Sequence, residues 1–383
     1  MLINKNEEIK NFCNKLGGVS FVTIDTEFLR EKTYYPKLCL IQLSGPDGEA
    51  AAIDPLAKGI DLDPFFELMD DGSILKVFHA ARQDLEILYN INGSLPSPLF
   101  DTQIAAMVCG YGESVGYENL VRNLLGRKID KGPQFTDWSR RPLGKKMMDY
   151  ALGDVTHLIE IYKILSEELE KRGREGWLKH EEDILSSPST YEIDPYEIYK
   201  RIKIRSQNPR TLAALRELAA WREKEAANKN IPRNWVLRDE TLADIAVHMP
   251  QDVNRLEKAR NMPLDKARGK MGKIILNILQ MVRELPQEKY PAVPPKQEQL
   301  PQELRPVLEM LRMLLRINCS EQEVAAKLVA SNGDLEKLAL DSHADIPAMH
   351  GWRFEVFGRD ALELKNGRLS LTVKDNNILK TRL

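Results

Sequence analysis

The chain has 383 residues, 43% of them hydrophobic, and a formal net charge of −2, which suits a soluble globular protein of two or three domains with separate cores. No apolar run approaches the roughly 20 residues needed to cross a bilayer, and the stretch Met1–Glu8 lacks the basic-then-apolar order of a signal peptide, so a cytoplasmic protein is expected. Cys13, Cys39, Cys109 and Cys319 are widely spaced with no C-x-x-C pair, which argues against a disulfide framework or a cysteine-bound zinc and predicts buried, reduced thiols.

Residues 1–19 read as an amphipathic lead-in ending at the Gly17-Gly18 turn. Ser20 to Ile24 then form a β-branched and aromatic strand. Alternation along it puts Phe21, Thr23, Asp25 and Glu27 on one face, so two carboxylates leave its end side by side, about 7 Å apart at Cα. Like charges that close raise each other's pKa unless a cation lies between them, and a hard divalent metal is the obvious one. Leu38–Leu43 and Ala50–Ile53 are two further strands, and the three together predict an antiparallel meander. The loop Phe28–Pro36 mixes aromatics and bases and suits contact with a nucleic-acid substrate.

A helix near Leu62–Met69 leads to a fourth strand, Ile74–His79, and a helix Ala81–Asn90 that carries Asp84. Leu99–Asp101 is a short fifth strand, with Asp101 capping the helix Thr102–Cys109. Helix Tyr117–Leu125 and an irregular basic-aromatic stretch, 128–142, come next. A long helix from about Leu143 past Leu165 bears Tyr150 and Asp154, whose i,i+4 spacing brings both to one face.

Beyond a Ser/Pro linker at 186–190 the charge balance reverses. Residues 1–195 carry 22 Lys and Arg against 32 Asp and Glu, whereas 196–290 carry 20 against 12, as if a polyanion were held by the second part and processed by the first. Leu212, Leu215, Leu218 and Trp221 follow helical spacing and read as core, with Arg201, Lys203, Arg205, Arg210, Arg233 and Arg238 as candidates for phosphate contact. A Pro-rich linker around Pro286–Pro295 precedes helices over 302–340, and Ala361–Val373 reads as a hairpin about Asn366-Gly367.

Asp25, Glu27, Asp84 and Asp154 are carboxylates on three elements, with no His/Cys cluster beside them. Oxygen ligands favour Mg²⁺ or Mn²⁺, and two such ions can clamp both oxygens of a phosphodiester under attack. Asp25-Thr26-Glu27 after an apolar strand, Asp84 in His79–Leu85, and Tyr150-x-x-x-Asp154 resemble the three motifs of the DEDD exonuclease superfamily, tyrosine-bearing branch. Phe28-Leu29-Arg30, Tyr34-Tyr35-Pro36, Leu40–Leu43 and Asp101-Thr102-Gln103 resemble the ribonuclease D family in particular. Leu215-x-x-Leu218-x-x-Trp221-Arg222 with Ile231-Pro232-Arg233 is similar to that family's helicase-and-RNase-D C-terminal (HRDC) domain.

The resemblance implies an α/β ribonuclease H-like exonuclease domain, a mixed sheet with helices, followed by all-α helical-bundle C-terminal domains. It places an exonuclease domain at 1–190, a linker at 191–207, an HRDC domain at 208–286, a Pro-rich linker at 287–301, and a divergent second HRDC-like region ending in a β-hairpin at 302–383. It implies 3′→5′ exoribonuclease activity with two divalent ions, Mg²⁺ or Mn²⁺, release of nucleoside 5′-monophosphates, and tRNA precursors with 3′ extensions as substrates. Asp25, Glu27, Asp84 and Asp154 would bind metal and Tyr150 would position the attacking water. Thr26, Phe28, Leu29 and His79 are expected at the substrate, although a structural role for His79 fits as well. A monomer with no membrane association is expected. The alternatives are the same chemistry on DNA and a non-catalytic nucleic-acid-binding scaffold.

Overall fold

A computed structural model describes residues 1–130, 132, 136–206, 208–293 and 300–383. Parts of the expected basic-aromatic stretch (131 and 133–135), of the first linker (207) and of the Pro-rich linker (294–299) lie outside the described residues. The chain divides into two compact units. One holds Met1–Glu27, Cys39–Ser187 and the C-terminal segment, and the other holds Phe28–Leu38 and the stretch that begins at Pro188.

Strands β1 (Leu2–Ile3), β2 (Phe21–Leu29), β3 (Lys37–Ser44), β4 (Ala50–Ile53), β5 (Leu75–Phe78) and β6 (Leu99–Asp101) form one mixed sheet in the order β1-β4-β3-β2-β5-β6. β2, β5 and β6 run parallel, as do β1 and β4, while β3 is antiparallel to β4. Phe21–Ile24 and Leu38–Leu43 are buried throughout, as interior strands covered on both faces must be. The expected lead-in contains a strand, β1, that a two-residue stretch cannot announce by periodicity. It exists because Ala52 N–H donates to the Met1 carbonyl at 2.8 Å and Asp54 N–H to that of Ile3 at 2.9 Å.

Seven helices accompany the sheet among the described residues: α1 (Asn6–Leu16), α2 (Asp63–Asp70), α3 (Arg82–Asn92), α4 (Thr102–Val108), α5 (Tyr117–Leu125), α6 (Lys145–Arg172) and α7 (Glu175–Leu185). α6 matters most for the site. Its buried stripe includes Ala151, Val155, Leu158, Leu165 and Leu169, each large aliphatic side chain contributing roughly 1.5–3 kcal/mol on burial. Tyr162 packs between Phe21 and Phe100, with ring centroids 4.6 and 4.9 Å away. The Thr23 hydroxyl donates to the Val155 carbonyl at 2.8 Å. The Phe21-Thr23-Asp25-Glu27 face of β2 therefore lies along α6.

In the second unit, α8 (Pro209–Lys229), α9 (Arg233–Val236), α10 (Asp239–His248), α11 (Val253–Leu256), α12 (Leu264–Arg268) and α13 (Lys270–Glu284) enclose a core that includes Leu215, Leu218, Leu242, Ile245, Ile275 and Leu279, with Trp221 packed on it. Asn208 caps α8, and Asn230, with φ of 48°, ends it in the left-handed conformation that Asn tolerates. The Asn230 side chain also accepts the N–H groups of Tyr34 and Tyr35 at 3.1 and 3.0 Å.

The C-terminal segment contains α14 (Arg305–Glu321), α15 (Ala326–Val329), α16 (Asn332–Leu340), a helix Arg359–Lys365, and the hairpin β7 (Leu369–Lys374)–β8 (Asn377–Arg382). The expected hairpin about Asn366-Gly367 is thus displaced. Ala361 and Leu364 are buried at helical spacing, Gly367 has φ of 71°, and Arg368 N–H and Gly367 N–H return to the carbonyls of Glu363 and Leu364 at 2.9 and 3.1 Å. That is a helix-terminating Schellman pattern. The hairpin turns instead on Asp375-Asn376, with φ of 51° and 60°, as a two-residue type I′ loop requires.

This segment packs on α4, α6 and α7 within the first unit. The Arg174 guanidinium donates to the carbonyls of Val108, Gln322 and Glu323, and Glu113 accepts the N–H groups of Ala326 and Lys327. The Trp177 and Trp352 rings stack at 4.3 Å, and Arg353 pairs with Glu181. All four cysteines are buried and none forms a disulfide. Among the described residues, no helix is long and apolar enough to cross a membrane.

Candidate active site

β2 delivers Asp25 and Glu27, α3 delivers Asp84 in its first turn, and α6 delivers Tyr150 and Asp154. One carboxylate oxygen from each of Asp25, Glu27 and Asp154 lies within 4.8 Å of the other two. Tyr150, one helical turn before Asp154, hydrogen-bonds its carboxylate. Asp84 does not join that trio directly. Its Oδ1 accepts the hydroxyl of Thr26, a residue expected at the substrate.

The electrostatics of the cluster are unfavourable as it stands. Burial, then the neighbouring Asp154 charge, raises the Asp25 pKa well above its ordinary value. Burial, then the charges of Asp25, Asp154 and Asp84, pushes Glu27 up to about 10. Burial and then Asp25 raise Asp84 as well, against the opposing hydrogen bond from Thr26. Burial pushes Asp154 up to about 7 even though Tyr150 donates to it. Asp154 Oδ1 is buried and has no hydrogen-bond partner among the described residues, and such an orphaned acceptor costs about 1–3 kcal/mol. Acids held together against mutual repulsion, with a free oxygen among them and no nitrogen or sulfur ligand beside them among the described residues, fit a hard divalent cation.

Two aromatics frame the pair on α6. The Trp138 ring is buried 6.2 Å from that of Tyr150, and the Tyr117 hydroxyl donates to the Asp154 carbonyl. Nothing in the sequence marks Tyr117, since its role arises where α5 meets α6. Burial, and then the Asp154 charge, keeps the Tyr150 phenol neutral. In the basic-aromatic stretch, Arg141 makes two 2.6 Å bonds to Asp54 and reaches the Cys39 and Trp138 carbonyls. That guanidinium is an anchor inside the unit.

His79 Nδ1 lies 3.0 Å from the Thr102 hydroxyl, which itself donates to the Phe78 carbonyl, and burial lowers the imidazole's pKa. Phe28 and Leu29 end β2 half-buried. Asp101 caps α4 as expected, accepting the N–H groups of Gln103 and Ile104. Glu182 of α7, which the sequence does not single out, accepts the Asp101 N–H at 3.2 Å, and burial pushes it up to about 8.

In the second unit, Arg233 is not free for phosphate. It pairs with the buried Glu223 and lies 4.9 Å over the Tyr34 ring, whose hydroxyl also bonds Glu223. A cavity of about 450 Å³ elsewhere in this unit is lined by His248, Arg255, Lys258 and Arg260, with Asp244 the acidic residue among them.

Residues 1–170 match the 3′-5′ exonuclease family model, and residues 211–279 match the HRDC domain model. The chain is 45% identical over 384 residues to a ribonuclease D of Nitrobacter hamburgensis, covering 99% of this chain and 98% of that one. It is also 45% identical to a ribonuclease D of Sphingobium indicum, covering 100% and 98%. The crystal structure of Escherichia coli RNase D, described as an exoribonuclease involved in structured RNA processing, superposes with a TM-score of 0.81 at 29% identity, covering 95% of this chain and 98% of that one. With end-to-end similarity at this level and a carboxylate cluster on the exonuclease sheet, the chain belongs to the ribonuclease D family of 3′-5′ exoribonucleases.

Proposed function

We propose that the protein trims the 3′ ends of structured RNA, tRNA precursors with 3′ extensions in particular, releasing nucleoside 5′-monophosphates with the help of two divalent ions, Mg²⁺ or Mn²⁺. The observation that carries this is the convergence of Asp25, Glu27 and Asp154 within 4.8 Å. Those three, with Asp84 from the adjacent strand-to-helix turn, would hold the ions. Bound there, the metal supplies charge that offsets the phosphate and lowers the pKa of a water.

The chain's own residues do the rest. Tyr150, neutral and tied to Asp154, holds the attacking water through its hydroxyl oxygen. Thr26 keeps Asp84 in place. The buried Trp138 ring beside Tyr150 limits water access to the phenol. Phe28 and Leu29, one and two residues beyond Glu27 on the same strand, contact the terminal nucleotide. Thr26 acts by positioning, since its hydroxyl is engaged by Asp84, and His79 is held through Nδ1 beside the Thr102 hydroxyl. In the second unit the basic cavity at Arg255, Lys258 and Arg260 receives RNA phosphates. The protein acts as a monomer.

The test is a single assay of 3′-extended tRNA against single-stranded DNA of matched length, with Mg²⁺, with Mn²⁺ and with chelator. Stepwise shortening of the RNA, dependent on metal, is expected. Preferential digestion of DNA, or shortening that persists in chelator, would overturn the reading.

A further inference from the structure

We propose that Asp101 is a positioning residue for the reaction: its single carboxylate takes the backbone donors that Asp84 would otherwise capture, and so leaves Asp84 turned toward the site. This rests on the reading of Asp84 as a site ligand.

Asp101 ends β6, and in the parallel register its partner is Phe78, the last residue of β5. Its carboxylate is buried and accepts four backbone N–H groups. Oδ1 takes Ala80 at 3.0 Å, Gln103 at 2.8 Å and Ile104 at 3.4 Å, and Oδ2 takes Ala81 at 2.8 Å. Gln103 and Ile104 are the ordinary work of a helix cap. Ala80 and Ala81 belong to a different element, the turn that launches α3.

That turn is costly by itself. Ala80 has φ of 58°, a left-handed conformation that costs a residue with a Cβ roughly 1–2 kcal/mol. Ala81 is the N-cap of α3 and has no side chain able to cap it. Asp84 is the third residue of that helix, the position from which an acidic side chain reaches back to the N-cap N–H in a capping box. Here the Ala81 N–H is already taken by Asp101 Oδ2, and Asp84 Oδ1 accepts Thr26 on β2 instead. Asp101 therefore substitutes for the local cap, and its charge-assisted bonds hold the turn. Asp101 is itself seated by its own N–H on Glu182.

The experiment compares Asp101→Ser, Asp101→Asn and Asp84→Ala with the wild-type full chain. A serine retains the cap on α4 but has one oxygen and too short a reach to hold Ala80 and Ala81 as well. For Asp101→Ser and Asp101→Asn, the expected results are a native circular-dichroism spectrum, KM for RNA within about twofold, and kcat and Mn²⁺ affinity (by electron paramagnetic resonance of the free ion) each reduced about 10–100-fold, the range for groups that orient metal ligands. Wild-type Mn²⁺ affinity and kcat in both Asp101 variants, with Asp84→Ala inactive, would overturn the proposal while leaving the functional reading intact. An active Asp84→Ala would sink that reading first. Should the Asp101 variants fail to fold, hydrogen exchange on the metal-free wild type decides. The Ala80 and Ala81 amides must be protected, and exchange at open-loop rates would refute the assignment.

Discussion

The acid cluster should make the metal-free protein less stable than a variant that has lost its activity. Asp154 is 7% exposed, and burial lifts its pKa from 3.8 to about 7. A carboxyl whose pKa is higher folded than unfolded holds its proton longer in the native state. Its full favourable contribution is therefore present below about pH 4 and is lost as the pH rises toward 7, so at pH 8 the native state carries the whole penalty. At about 1.4 kcal/mol per unit of pKa, a lift from 3.8 to about 7 makes that penalty roughly 4 kcal/mol for this one group.

Asp154→Asn removes the charge and keeps the shape. In chelator at pH 8 the variant should melt roughly 5–10 °C higher than wild type, at the few degrees per kcal/mol usual for a unit of this size. At pH 4.5 the gap should close, because wild-type Asp154 is then protonated. Mn²⁺ should raise the wild-type melting temperature and leave that of the variant nearly unchanged. The assay is differential scanning fluorimetry of the full chain across pH 4.5–8, with and without Mn²⁺, alongside an RNA-shortening assay in which the variant is inactive. A variant that melts below wild type in chelator at pH 8, or a gap that ignores pH, would refute the reasoning.

Tyr150→Phe deletes the hydroxyl that bonds Asp154 and should lower kcat about 10–100-fold with KM for RNA within about threefold, measured under single-turnover conditions. Arg233→Met leaves the buried Glu223 carboxylate without its cation and should destabilise the second unit by about 3 kcal/mol in urea, with no change in the salt dependence of RNA binding. Replacing Arg255, Lys258 and Arg260 by Gln should do the reverse, cutting the slope of log affinity against log salt by about 0.7 per lost phosphate contact at unchanged stability. Arg353→Met strands Glu181 beneath the Trp177–Trp352 stack and should lower the melting temperature of the first unit, while Glu181→Gln added to it should recover part of the loss.

Much of the site is a local property of the chain. Strand alternation alone puts Asp25 and Glu27 on the face that carries Thr23, and helical spacing alone puts Tyr150 one turn before Asp154. The length of α6 and the end of α8 at Asn230 follow likewise from side-chain period and backbone preference. The misjudged elements are those in which local signals compete. Asn366-Gly367 is a good hairpin turn and an equally good helix terminator, and burial of Ala361 and Leu364 decides for the helix. Tyr34 and Arg233 look suited to nucleic acid by composition, yet both are consumed by the buried Glu223.

What the sequence determined by itself, then, was which residues carry the acids and on which kind of element each sits, because period and propensity act within a few residues of one another. Only tertiary structure decided which oxygens converge and which face away: Asp154 meets Asp25 because Thr23 is bonded to the carbonyl of Val155, and Asp84 turns to Thr26 because a carboxylate from the next strand occupies its alternative partner. Those outcomes depend on groups far apart in the chain and brought within 3 Å by packing, which no local pattern encodes.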